Sequence, residues 1–192
     1  MIENIVKAVV DYQVKNEILK EQDESVYQYG YTLLFERAIN IFISLIICII
    51  THKWIETALL LFCIIPLRSY AGGWHAKKFI SCTIISNLII VVGVYSKWLN
   101  KMSVGIYAFL ELLICAIIMY IAPVQNQNKI LSYAEKIKYK KNSILIFLFE
   151  FIILVVFLYK NIEYKYIVIF SQLIVSVGLL IGAVDDRHEC YK

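Results

Sequence analysis

The sequence predicts an all-α polytopic membrane protein with about six transmembrane helices, some of them re-entrant in one arrangement, and an N-terminal amphipathic helix. Three observations carry this. Of 192 residues, 60% are hydrophobic and 18% are charged, too apolar a balance for one water-soluble core of this length. The apolar residues fall in runs that approach the ~20 residues needed to cross a bilayer. Near the start, Ile2, Ile5, Val6 and Val9 stand between charges at the spacing of one helix face, which suits a helix lying on a membrane surface. Residues 1–192 read as a single integral membrane domain: an amphipathic segment 1–30, a transmembrane bundle 31–184 and a basic cytoplasmic loop 123–143 within it. No cleavable leader is expected, because residues 1–25 mix acids and bases without an apolar core.

The first apolar run, Ala38 to Ile50, is long enough to span once Tyr31 to Phe35 are added, with Glu36 and Arg37 inside it. Thr51-His52-Lys53 is a tight break. Trp54 to Leu67 is short for a span and must borrow Arg68 to Ala71 or be partly re-entrant. Cys82 to Trp98 is a third span, followed by a polar turn from Lys97 to Ser103. Val104 to Ala122 is the fourth. Pro123 to Ser143 is the longest polar segment, with Lys129, Lys136, Lys138, Lys140 and Lys141 against the single acid Glu135. Ile144 to Tyr159 and Tyr166 to Val184 are the fifth and sixth spans, joined by Asn161-Ile162-Glu163. Four spans with two re-entrant segments would give the basic loop the same sidedness.

Cation bias sets the expected orientation. With both termini in the cytoplasm, the inner segments hold 14 of the 19 Lys and Arg residues. The expected location is therefore the cell membrane, multi-pass, with N- and C-termini cytoplasmic. The net charge of +4 is read as topology, not as nucleic-acid binding.

The five cysteines show neither CxxC nor metal-ligand spacing, and an odd number argues against a disulfide framework. Cys48, Cys63 and Cys115 lie in apolar runs and Cys190 near the C-terminus, beside Arg187-His188-Glu189. HExxH is absent. No metal or other cofactor is expected.

Chemistry concentrates between Arg68 and Cys82. Gly72-Gly73 interrupts any helix running through, at a cost of about 1 kcal/mol per glycine, and broken backbone at membrane depth is tolerated where it lines a cavity or packs on protein. His75 and Cys82, seven residues apart, suggest a nucleophile and its base. On one straight helix they would stand ~10.5 Å apart along the axis, so the expectation is an irregular segment carrying His75 and a new helix, capped by Ser81, with Cys82 in its first turn. A thiol at a helix N-terminus among cations ionises readily, and Arg68, Lys77 and Lys78 are the candidate cations. Each of these residues also has an ordinary reading: a packed cysteine, an interfacial histidine, lysines that only fix topology.

The run Arg68-Ser-Tyr-Ala-Gly72-Gly73-Trp-His75-Ala followed by Cys82 resembles the central motif of the accessory gene regulator protein B (AgrB) family, membrane endopeptidases that mature quorum-sensing propeptides. Glu24-Ser-Val-Tyr27-Gln-Tyr29-Gly30 is similar to that family's N-terminal segment, and the size, six apolar runs and basic loop agree. The resemblance implies His75 and Cys82 as catalytic dyad, with Arg68, Gly72 and Gly73 in supporting roles; Lys77 and Lys78, as neighbouring cations, are expected to join them in binding substrate or supporting the site. Lys77-Lys78 is more basic than the small and hydroxyl residues of the family at this place, which bears on fine specificity. It further implies cleavage of the C-terminal part of a propeptide through a thioester, and cyclisation to a thiolactone or lactone, with no ATP or metal. The partners implied are a short amphipathic AgrD-like propeptide and the lipid bilayer, with a homodimer as one option.

Two other classes fit a polytopic membrane protein. One is a small peptide exporter with intramembrane Glu56, Glu111 and Glu150 marking a path. The other is a non-catalytic membrane partner of a signalling system. No internal repeat between the halves supports transport. Glu36, Glu56, Asn87 and Glu111 are candidates for orienting His75, because intramembrane polar groups tend to be functional.

Overall fold

Each apolar run folds as a helix because a chain in lipid must satisfy its own backbone groups. The computed structural model describes residues 2–74, 79–124 and 132–189. His75, Lys77 and Lys78, the basic-loop residue Lys129, and Cys190 lie outside these. Among the described residues there are seven α-helices: α1 (Ile2–Lys15), α2 (Glu24–Thr51), α3 (Trp54–Ala71), α4 (Phe79–Tyr95), α5 (Val104–Ile121), α6 (Tyr133–Tyr159) and α7 (Lys165–Glu189). Five of them, α2, α3, α5, α6 and α7, are long and apolar enough to cross a membrane; α4 is apolar but shorter, at 17 residues. The protein is an all-α polytopic membrane protein.

The chain forms two compact units, Met1–Ile50 and Thr51–Lys192. In the first, α1 is amphipathic, as expected. Val6 and Val10 are buried while Ile5, Val9 and Tyr12 are exposed, and Gln13 Nε2 donates to the Tyr31 hydroxyl at 3.0 Å. Helix α2 runs unbroken through Glu36 and Arg37. It ends at the expected break, where His52 takes a left-handed backbone (φ 53°).

In the second unit α7 is central. Every residue from Tyr166 to Gln172 is buried, the mark of a helix packed on all sides. Around it α3, α5 and α6 each turn a stripe inward: Leu60, Cys63 and Leu67 on α3, Tyr107, Glu111, Ile114 and Ile118 on α5, Ser143, Phe147, Glu150 and Leu154 on α6. The spacing of three and four residues keeps a stripe on one helix face. Large apolar side chains such as Phe109, Leu112, Leu145 and Ile152 point outward, where lipid replaces water as solvent.

Several boundaries differ from the sequence expectation. Helix α3 does borrow Arg68 to Ala71, reaching 18 residues despite Pro66 inside it. Helix α4 begins at Phe79, so Ser81 is its third residue and not its cap; Cys82 still lies in the first turn. Lys136, Lys138, Lys140 and Lys141 are helical: α6 starts at Tyr133. A capping box sets that start. Ser132 Oγ accepts from the Glu135 backbone N–H, and Glu135 Oε2 accepts from the Ser132 N–H at 2.9 Å, satisfying two otherwise orphaned donors.

Candidate active site

Helix α3 ends where Gly72 takes a backbone conformation (φ 77°, ψ −145°) that only glycine adopts comfortably. Gly73 follows at φ 121°. The chain then leaves the helix and pairs with two distant segments. The Val124 N–H, just beyond α5, donates to the Ala71 carbonyl at 3.0 Å, and Gly72 forms an isolated bridge with Val124. The Trp74 N–H donates to the Gly178 carbonyl on α7 at 2.8 Å. Glycine is required on both sides of these contacts. A Cβ on Gly72 would collide with the Val124 carbonyl, one on Gly73 would lie 3.0 Å from the Gly178 backbone, and one on Gly182 would lie 2.7 Å from the Trp74 nitrogen.

Arg68, on the last turn of α3, reaches over this junction. Its Nη2 donates to the Trp74 carbonyl at 2.6 Å, and its Nη1 lies 3.2 Å from where a Cβ on Gly178 would be. Cys82, partly exposed on the first turn of α4, is within electrostatic reach of the same guanidinium. One cation therefore holds the carbonyl of the residue directly before His75 and lies within electrostatic reach of Cys82.

The structure thus brings together Arg68, Gly72, Gly73 and Cys82 among the residues the sequence singled out. It sets Glu56 apart. That carboxyl sits at the other end of α3, 3.3 Å from Lys53 Nζ, about 18 Å along the axis from Arg68. Asn87 donates to the Thr83 carbonyl at 2.8 Å, and Glu111 lies in the middle of α5. Gly178, Gly182 and Val124 were missed by sequence reasoning. The Gly-x-x-x-Gly spacing of 178 and 182, a signature of close backbone approach in membrane helices, was the available signal for the first two. Tyr70 and Tyr139, with ring centroids 5.5 Å apart, bring the first turns of α6 beside the last turn of α3.

The model of the accessory gene regulator B family matches residues 3–179, nearly the whole chain. The chain belongs to the AgrB family. Among curated proteins, AgrB-like protein 2 of Clostridium perfringens (strain 13 / Type A) is 31% identical over 172 residues, covering 84% of this chain and 80% of that protein. No solved structure matches the chain. Family membership supports a role in the accessory gene regulator system, in quorum-sensing peptide processing at the membrane.

Proposed function

We propose that the chain is a membrane-embedded cysteine endopeptidase, with Cys82 as nucleophile and His75 as its general base and acid. The observation that carries this reading is the placement of Arg68, whose Nη2 donates to the Trp74 carbonyl at 2.6 Å while Cys82 lies within electrostatic reach of the same guanidinium. The substrate is a short amphipathic propeptide of the AgrD kind. His75 takes the thiol proton, and the Cys82 sulfur attacks the scissile carbonyl. The C–N bond breaks, and the C-terminal fragment leaves with a proton returned from His75. A thioester remains on Cys82. A cysteine or serine inside the propeptide then displaces Cys82, closing the thiolactone or lactone ring. A dry site favours ring closure over hydrolysis. Lys77, Lys78 and the lysines at the start of α6 bind the substrate beside the dyad.

Replacing Cys82→Ala is expected to lower propeptide cleavage by roughly 10³-fold or more, with the protein still inserted in the membrane. Replacing Cys48, Cys63, Cys115 and Cys190 together is expected to leave cleavage largely intact. Cleavage that survives Cys82→Ala in a preparation free of other proteases removes the mechanism and restores the exporter reading.

The site faces the cytoplasm in this proposal, as do both termini. In a protein stripped of its own cysteines, Asn126→Cys and Asn161→Cys should label oppositely with an impermeant thiol reagent on intact cells. Labelling at position 126 from outside inverts the topology.

A further inference from the structure

The second unit carries a polar cluster that the peptidase reading leaves unused. Glu111 on α5, Glu150 on α6 and Gln172 on α7 are 5%, 1% and 0% exposed. They lie at a common depth. Counting from the helix ends that gather near Asn161, Glu111 is seven residues in, Glu150 nine and Gln172 seven, or about 10–14 Å along each axis. Glu150 is within electrostatic reach of Glu111, and the Gln172 amide faces it. No hydrogen bond is completed: both oxygens of each carboxyl and both polar atoms of Gln172 lack a partner among the described residues. Two further neighbours are Cys63 on α3, which senses the Glu150 charge, and Ser171 on α7, which faces Cys63. The Ser171 hydroxyl is engaged with the Ile167 carbonyl at 2.7 Å. Among the described residues no Lys, Arg or His pairs with either carboxyl.

Each inward stripe of α5 and α6 is otherwise aromatic, aliphatic or small, so nothing in packing calls for a carboxyl at these two positions. Leucine or glutamine would fill the space. An uncompensated buried charge costs several kcal/mol, and two facing one another cost more. A cation placed between them removes the repulsion and supplies a partner for oxygens that have none. The available donors, two carboxyls and an amide oxygen, are hard oxygen ligands.

We propose that Glu111, Glu150 and Gln172 form an intramembrane binding site for one monovalent cation, a proton or a sodium ion. The cluster lies away from the glycine junction: Glu111 stands ten residues before the end of α5, ~15 Å from the bridge with Gly72.

The test is modification by dicyclohexylcarbodiimide of the full-length protein in nanodiscs. This apolar reagent adds across the O–H of a protonated carboxyl and stays attached after acyl transfer to its nitrogen. A solvated glutamate is ionised at pH 7 and escapes. The expected result is an adduct at pH 7 on Glu111 or Glu150, found by peptide mass mapping. Its rate of formation should fall about tenfold per pH unit above a midpoint. Glu111→Gln should move the midpoint for Glu150 down by about one pH unit or more, and Glu150→Gln should do the same for Glu111, as expected of coupled sites. Replacing choline chloride by sodium chloride at fixed pH separates the two ions: protection identifies sodium, and no protection identifies the proton. Two results overturn the proposal. One is no adduct on either residue between about pH 5 and 9, in protein with its native thermal transition. The other is a midpoint that both glutamine variants leave unmoved.

Discussion

The two ends of the second unit are closed by different means. At the end near Ser96 and Asn161, side chains reach to backbone. Tyr107 Oη donates to the Leu99 carbonyl at 2.9 Å and Tyr166 Oη to the Val94 carbonyl at 3.2 Å. Asn100 Nδ2 donates to the Glu163 carbonyl at 2.7 Å, and an exposed ion pair joins Lys97 and Glu163 at 3.9 Å. At the motif end, backbone meets backbone: Val124 on Ala71, and Trp74 on Gly178, with Gly72, Gly73 and Gly182 leaving out the Cβ atoms that would obstruct the approach. The first arrangement tolerates the loss of one side chain, because each tie is separate. The second does not, since a single added carbon pushes apart the segments that hold Arg68 and Trp74. The difference shows where the fold places its precision. It lies beside the candidate nucleophile, on backbone that no side-chain rotation can relax.

That contrast sets a graded series of outcomes. Gly72→Ala is the severest, because a positive φ and a collision with the Val124 carbonyl coincide. Strain of this kind costs about 1–3 kcal/mol before the overlap is counted. Cleavage of co-expressed propeptide should fall ~100-fold or more, and the melting transition in detergent should drop. Near-normal cleavage in Gly72→Ala membranes breaks the comparison. At the other end, Tyr107→Phe removes one buried hydrogen bond and should cost about 0.5–1.5 kcal/mol, while cleavage stays within about twofold. Lys97→Gln removes an ion pair whose side chains are 50% and 80% exposed and should shift stability by less than about 0.5 kcal/mol. A Tyr107→Phe protein that keeps its stability but loses cleavage would show the two ends to be coupled, contrary to the account.

Much of this was legible in the sequence, for reasons that explain the rest. The spans could be read because both lipid-facing and inward-facing positions are apolar, so long runs survive whichever way a residue points. The same property hid which face is which, and only the structure shows Glu111 and Glu150 on the inward stripes. The start of α6 was misplaced because its first ten residues are mostly polar and charged; the Ser132-x-x-Glu135 box that starts it was an available signal that the sequence reading passed over. Helix α4 starts earlier than expected because Phe79 and Ile80 extend it beyond Ser81. Arg68, Gly72, Gly73 and Cys82 stand out in the sequence through their local pattern. The pairing of Ala71 with Val124, and of Trp74 with Gly178, joins segments more than 50 residues apart in sequence, and no local pattern announces such a contact.

The central claim is that Cys82, within electrostatic reach of Arg68, becomes acylated by the propeptide. Mixing purified protein with propeptide in nanodiscs, quenching rapidly in acid and mapping peptides by mass spectrometry tests it directly. The account predicts an adduct on Cys82 equal in mass to the N-terminal propeptide fragment, removed by hydroxylamine as a thioester is, and absent in Cys82→Ala. Cleavage that proceeds through early turnover with Cys82 unmodified, and an adduct on Cys63, Cys115 or no cysteine at all, would contradict it.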